Sequence, residues 1–262
     1  MKTGNSQLGG KVAIITSGST GTGPVMAKLF VEHGARVLLS ARREDLVHAA
    51  AERAGGAIGM RADVTNEADV KAMVDRAISA FGQVDIFLNN AAAPGHDKYI
   101  WEQTLENWNA TIAIDLTAAM LCTREVLNQS MLERRSGSIV NFLSTAGWSG
   151  IPRKTHYVSA KKALRAFTKT VALETGPHGI RCNCLVPGGI ETELWRSWGE
   201  RMAAEQGIDF EPWKVTALQG VALRTISQPL DIANLALFLA SDESRTITGQ
   251  SINCDAGGYM VG

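Results

Sequence analysis

Short runs of continuous apolar residues alternate along this chain with longer stretches whose apolar positions recur every three or four residues. The first pattern suits strands covered on both faces and the second suits amphipathic helices. Lys11–Thr16 (KVAIIT) is the first such run, followed by a glycine turn and a helix over Thr22–His33. Arg36–Ser40 and Ala57–Arg61 read as the second and third strands, with a helix over Glu44–Arg53 between them. Asn66–Phe81 reads as a helix, and Asn66 and Asp69 suit its N-terminus. Asp85–Asn89 is a fourth strand, and a long helix over Trp108–Arg134 leads to a fifth at Ser138–Leu143. A helix over His156–Thr175 follows, and the strands Ile180–Val186 and Ser251–Cys254 flank a helix over Pro229–Ala240. Regular alternation of this kind predicts an α/β fold with a doubly wound, parallel, seven-stranded sheet and helices on both faces. Ligands of such sheets bind at the C-terminal strand ends.

A length of 262 residues suits one large α/β domain, expected to span 1–262. One segment breaks the rhythm. Residues 191–225 are too many for an ordinary connection, and three of the six tryptophans, Trp195, Trp198 and Trp213, fall within them. Leu194, Trp195, Trp198 and Met202 fall at helical spacing, so this insertion is expected to form a lid with one apolar face over a bulky apolar substrate. Lys plus Arg and Asp plus Glu both number 26, a balance that gives no field for nucleic acid or an acidic membrane. The four cysteines are not spaced as a disulfide framework or a metal site, and the five histidines form no ligand cluster. The N-terminus is polar without an apolar core and no apolar run reaches spanning length, so the expected location is the cytoplasm.

Candidate chemistry sharpens the picture. Tyr157 and Lys161 lie four apart, on one helix face, and Ser144 ends the apolar strand Gly137–Leu143. A cation beside a phenol favours the phenolate, which is expected to bring the tyrosine toward working pH as a general acid or base. The serine hydroxyl can then hold a carbonyl or alcohol oxygen. The turn Thr16-Ser-Gly-Ser-Thr-Gly-Thr-Gly23 opens the first helix, where close-packed glycines and free N–H groups suit a pyrophosphate.

These motifs occur in one order with Asp63-Val64, Asn89-Asn90-Ala91, Pro187-Gly-Gly-Ile190-x-Thr192, Gly249-Gln250 and the ending Ala256-Gly-Gly-Tyr-Met-Val261. In that order and spacing the chain resembles the short-chain dehydrogenase/reductase family over nearly its whole length, and in particular its 3-oxoacyl-carrier-protein reductase-like branch. The resemblance implies a single Rossmann-fold domain and an enzyme that interconverts a ketone and a secondary alcohol on a small-molecule substrate. It implies Tyr157 as proton carrier, Ser144 as holder of the substrate oxygen, and Lys161 as the group that binds the nicotinamide ribose and lowers the tyrosine pKa. It implies Ser17, Gly18, Ser19, Thr20, Gly21 and Thr22 around the cofactor phosphates, Asp63 and Val64 at the adenine, Asn90 at the ribose, and Ile190 and Thr192 at the carboxamide. It also implies a homodimer or homotetramer built from the two long helices, for which Val126, Leu127, Met131, Leu164 and Phe167 are the expected contact residues.

Three positions depart from the family pattern. Ser17 replaces the first glycine of the turn, and Ala92 replaces the glycine after Asn-Asn-Ala. Asp115, in Ile114-Asp-Leu, stands where the family carries the asparagine of its proton relay. When ionised it only accepts hydrogen bonds. The second strand ends in Ser40-Ala41-Arg42-Arg43 without an acid, which favours NADP(H) over NAD(H), with Arg42 at the 2′-phosphate. The competing readings are a non-redox, lyase-like enzyme and a non-catalytic binding protein on the same fold. The intact Tyr157 and Lys161 weigh against the second.

Overall fold

The computed structural model describes residues 6–260, so residues 1–5 and the last residue of the Ala256–Val261 motif lie outside the described residues. Its elements are β1 (Val12–Thr16), α1 (Thr22–Glu32), β2 (Arg36–Ala41), α2 (Glu44–Arg53), β3 (Ile58–Arg61), α3 (Glu67–Phe81) and β4 (Ile86–Asn89). Then come α4 (Leu105–Ile112), α5 (Ala118–Val126), α6 (Leu132–Arg134), β5 (Gly137–Phe142), α7 (Thr155–Thr175), β6 (Ile180–Pro187), α8 (Glu193–Glu205), α9 (Phe210–Ala217), α10 (Pro229–Ala240) and β7 (Ser251–Cys254). All strand pairs are parallel, in a seven-stranded sheet of order β3-β2-β1-β4-β5-β6-β7. The order reverses at β1 and β4, which places a crevice at their C-terminal ends.

The period of two along each strand explains why both sheet faces are covered. Ala13, Ile15, Leu39, Leu88 and Val140 pack with α1, α2 and α10 on one face. Ile14, Leu38, Phe87, Ile139 and Cys182 pack with α3, α5 and α7 on the other. Asn66 caps α3 as its sequence position predicts, accepting from the N–H groups of Ala68 and Asp69. The buried thiols belong to this core, and burial pushes Cys122 up to about 12. Among the described residues there is no cluster of metal-ligating side chains and no helix long and apolar enough to cross a membrane.

Two expectations need correction. The long helix begins at Leu105 rather than Trp108, because Thr104 accepts from the Asn107 N–H at 3.2 Å and caps it there. It is also not uniform: π turns at Ala113–Thr117 and Leu127–Met131 join α4, α5 and α6. The second correction concerns assembly. Val126, Met131 and Leu164 are buried in the chain's own core, where α5 and α7 press on the sheet and on neighbouring helices, so they cannot face a partner, whereas the expected contacts Leu127 and Phe167 are half-buried. The large apolar residues that these helices do expose are Leu105, Met120 and Leu173.

Candidate active site

The glycine turn closes on itself at the end of β1. A Cβ on Gly23 would stand 2.6 Å from the Ser17 carbonyl oxygen and 2.7 Å from the Gly18 Cα, and one on Gly18 would stand 2.6 Å from Leu39 Cδ2. Only glycine allows this approach. No side chain caps α1, whose first N–H groups therefore stay available to an anion. Thr16 Oγ accepts from the Asn90 and Ala91 N–H groups at 3.0 and 3.1 Å, which ties the ends of β1 and β4 together. Thr22 Oγ donates to Asn90 Oδ1 at 3.1 Å, and Asn90 Nδ2 donates to the Thr16 carbonyl at 3.2 Å.

Beside this turn lies a cavity of about 500 Å³ lined by Ser17, Ser19, Thr20, Arg42, Asp63 and Val64. The exposed Ala92 also borders it. Burial alone would raise the Asp63 pKa, but hydrogen bonds from Thr65 and the charges of Arg42 and Arg61 hold it below its ordinary value. A turn that admits no Cβ at Gly18 or Gly23, an uncapped helix start and an adjoining cavity together fit a dinucleotide.

Ser17 has φ of 55°, in the left-handed region that disfavours a serine. Ser17→Gly should therefore stabilise the protein by about 1 kcal/mol. Denaturant unfolding of the two proteins measures this, and a loss of stability would mean that the serine hydroxyl makes up for the strain.

The proton-handling groups meet at the C-terminal end of β5. Ser144 follows this strand in extended backbone, its hydroxyl accepting from the Ala146 N–H at 3.2 Å, and it pulls down the pKa of Tyr157, near the start of α7. One turn on, Lys161 Nζ donates to the Phe142 carbonyl at 2.9 Å and lies 5.6 Å from the centre of the Tyr157 ring. It also stands 2.8 Å from Asp115 Oδ1, and both side chains are at most 1% exposed. Asp115 Oδ2 accepts from the Ala93 N–H at 2.9 Å. The π turn in the long helix carries Asp115 into this buried position.

The tyrosine does not have the depressed pKa expected from its lysine. Burial pushes Tyr157 up, and the Asp115 carboxylate adds to the rise against the downward pull of Lys161 and Ser144. Burial alone would lower Lys161, but Asp115 and Tyr157 together raise it. The cation is thus already neutralised by a carboxylate.

A supporting network went unread in the sequence. His156 is buried, with Nε2 3.0 Å from the Pro94 carbonyl and Nδ1 2.6 Å from Gln103 Nε2. A carbonyl can only accept, so Nε2 carries the proton and Nδ1 accepts from the amide. Burial holds the His156 pKa below its usual value, in keeping with this neutral form. Asn107 Nδ2 donates to Gln103 Oε1 at 2.7 Å, and Asn107 Oδ1 accepts from the His96 N–H at 2.9 Å. The loop beside Ala93 is fixed in this way. A histidine next to Tyr157 was the only sequence signal, and its partners lie some fifty to sixty positions away.

On the other side, Ile190 forms a β-bridge with Ser227, and Thr192 caps α8 by accepting from the Trp195 N–H at 3.3 Å. Trp195 lies against the turn after β6, where a Cβ on Gly189 would stand 2.9 Å from its Nε1. The aromatic residues of the 191–225 segment do not form one open apolar face. Trp195, Trp198 and Phe210 each pack on Trp213 with ring centres 5.4–5.9 Å apart, while Leu194 is 66% exposed. They interlock α8 with α9 around Gly199, whose Cβ would come within 2.4 Å of Trp213. Polar ties hold α8 to the body of the fold: Arg201 to Asp97 at 2.6 Å, Asp97 to Lys154 at 2.5 Å, and Arg153 to Glu205 at 3.0 Å.

A family model described as enoyl-(acyl carrier protein) reductase matches residues 18–259. Momilactone A synthase of Oryza sativa subsp. japonica is 36% identical over 260 residues, covering 97% of this chain and 92% of that protein. The 3-oxoacyl-[acyl-carrier-protein] reductase of Chlamydia muridarum is 34% identical over 258 residues, covering 97% of this chain and 99% of that protein. A crystal structure of NAD+-bound xylitol dehydrogenase matches with a TM-score of 0.90 at 26% identity, covering 95% of this chain and 99% of the other. The chain belongs to the short-chain dehydrogenase/reductase family, in its 3-oxoacyl-carrier-protein reductase-like branch, and is an NAD(P)-dependent oxidoreductase.

Proposed function

We propose that this enzyme interconverts a ketone and a secondary alcohol with NADP(H), using Tyr157 as general acid and base. The observation that carries this reading is the convergence of Ser144, Tyr157 and Lys161 at the end of β5. In the reductive direction the Ser144 hydroxyl holds the carbonyl oxygen and Tyr157 gives it a proton. Lys161 then faces the phenolate left behind. Residues 17–22 would hold the cofactor phosphates, Asn90 its nicotinamide-side ribose, and Ile190 and Thr192 the carboxamide, so that the bound nicotinamide could supply or accept the hydride. Asp63 and Val64 hold the adenine end. A protein without catalysis would have no need to bury a lysine and bring it to a tyrosine in this way.

Arg42 carries the cofactor preference. It lines the cavity beside Asp63, and the strand end Ser40-Ala41-Arg42-Arg43 itself carries no acid for a ribose 2′-hydroxyl. A charge-assisted contact to a 2′-phosphate contributes about 1.5–3 kcal/mol. Arg42→Ala should then weaken NADPH by roughly ten- to a hundred-fold and leave NADH nearly unchanged. Fluorescence titrations with both cofactors, followed by a ketone panel read by cofactor absorbance, test the assignment. A wild type that prefers NADH would overturn it.

Residues 191–225 act in this proposal as a lid over a bulky apolar substrate. Trp195 is its point of contact with the site, and the interlocked α8 and α9 move as one body on the Arg201 and Arg153 ties. Limited proteolysis should show this segment protected by cofactor plus a good ketone. Equal cleavage with and without ligand would remove the lid.

A further inference from the structure

The family pattern puts an asparagine where this chain has Asp115, and the exchange changes the charge of the site without changing its shape. Lys161 is a buried ammonium with two oxygen partners, Asp115 Oδ1 at 2.8 Å and the Phe142 carbonyl at 2.9 Å. The second carboxylate oxygen is fixed by the Ala93 N–H at 2.9 Å. The carboxylate is therefore locked against the ammonium. With an amide in its place, Tyr157 would face one uncompensated positive charge. With Asp115, it faces a neutral pair.

The other titratable groups leave this balance alone. From α7, Lys161 is the charged group facing Tyr157. From the π turn between α4 and α5 it is Asp115. From β6, the Cys184 thiol acts on Lys161, and burial keeps it protonated. His156 turns its ring to Pro94 and Gln103 and is neutral.

We propose that Asp115 is a positioning residue acting through Lys161, a fixed counter-ion that withholds the lysine's charge from the Tyr157 phenolate and thereby biases the enzyme toward carbonyl reduction. This rests on Tyr157 being the proton carrier. In reduction the phenol O–H breaks and its proton goes to the carbonyl oxygen as the hydride reaches the carbon, so a tyrosine that stays protonated is ready over a wide pH range. In oxidation the alcohol proton must pass to a Tyr157 phenolate as hydride leaves the carbon for the oxidised cofactor. A phenolate without a free cation beside it forms only in alkali. Alcohol oxidation should therefore switch on only in alkali, over the range in which carbonyl reduction declines.

The test compares wild type with Asp115→Asn. The first readout is spectrophotometric titration of tyrosine in the cofactor-free protein, where Tyr157→Phe identifies the Tyr157 signal among the three tyrosines. Removing a carboxylate at this range should lower the Tyr157 midpoint by about one to three pH units. The second readout is the pH profile of kcat in each direction. Asp115→Asn should raise alcohol oxidation near neutral pH about ten-fold or more and move its rising limb toward neutrality by a similar shift. An unchanged midpoint and an unchanged limb would overturn the proposal. Should the variant fail to fold, the wild type still decides, since an oxidation limb centred at or below neutral pH contradicts a counter-ion role. Wild type with no cofactor-linked turnover of any ketone or alcohol would instead refute the underlying reading of Tyr157, and the cofactor-free titration would remain as the test of Asp115 itself.

Discussion

Tyr157→Phe should lower kcat for carbonyl reduction by about 10²–10⁴-fold, the usual scale of a lost general acid, while cofactor binding stays close to that of the wild type. The reason is local. Phenylalanine keeps the ring that lies 5.6 Å from Lys161 Nζ, so the packing of α7 beside β5 is preserved. What is lost is the phenolic hydroxyl, and with it the proton for the substrate oxygen. The neighbouring titratable groups cannot take over, since Lys161 is tied to Asp115 and to the Phe142 carbonyl. His156 turns its ring to Pro94 and Gln103, and the thiol of Cys184 is buried and held protonated. Steady-state rates set beside a cofactor fluorescence titration separate the two effects. Full activity in the variant would remove Tyr157 from the chemistry, and a parallel collapse of cofactor affinity would make its role structural.

The seven strands were legible because a parallel sheet covered on both faces demands unbroken apolar runs, and runs such as Val12–Thr16 can satisfy little else. The Asn66 cap was legible because it is local. The strain at Ser17 was foreseeable as a condition, a positive φ, which the turn then imposed. Other features were hidden for physical reasons. A π turn has no clear sequence signature, so the resemblance could put Asp115 in the relay while its ion pair with Lys161, 46 positions away, stayed hidden. The pairing reversed the expected effect of the lysine on Tyr157, since a cation's influence depends on what else it faces. The Phe142 carbonyl and the Ala93 N–H hold the pair through backbone atoms, which carry no residue identity. Val126 and Leu164 looked like surplus apolar surface because helices touched by both a sheet and neighbouring helices bury more than one stripe. In the 191–225 segment, helical spacing placed Trp195 and Trp198 on one face but could not show that Trp213 of α9 would fill it.

Lys161→Met should destabilise the protein by about 3–5 kcal/mol, because it leaves Asp115 buried without its cation. The Lys161 and Asp115 side chains are 1% and 0% exposed, so neither has water to fall back on. Methionine fills the volume of the lysine stem, which limits the effect of a cavity. The surviving carboxylate would keep one hydrogen bond, from Ala93, too little to offset its desolvation. Asp115→Asn should be milder, since the ammonium keeps the Phe142 carbonyl and gains an amide oxygen. The double variant Lys161→Met, Asp115→Asn should recover much of the loss, because a neutral amide tolerates burial better than an unpaired carboxylate. Denaturant unfolding of the four proteins forms a complete cycle, and a large coupling between the two substitutions is the expected result. Additive losses would mean that the two charges, though 2.8 Å apart, do not depend on each other. Ketone reduction separates the roles further. The double variant should regain stability and stay slow, since it restores the fold's charge balance without restoring the side chain expected to bind the nicotinamide ribose.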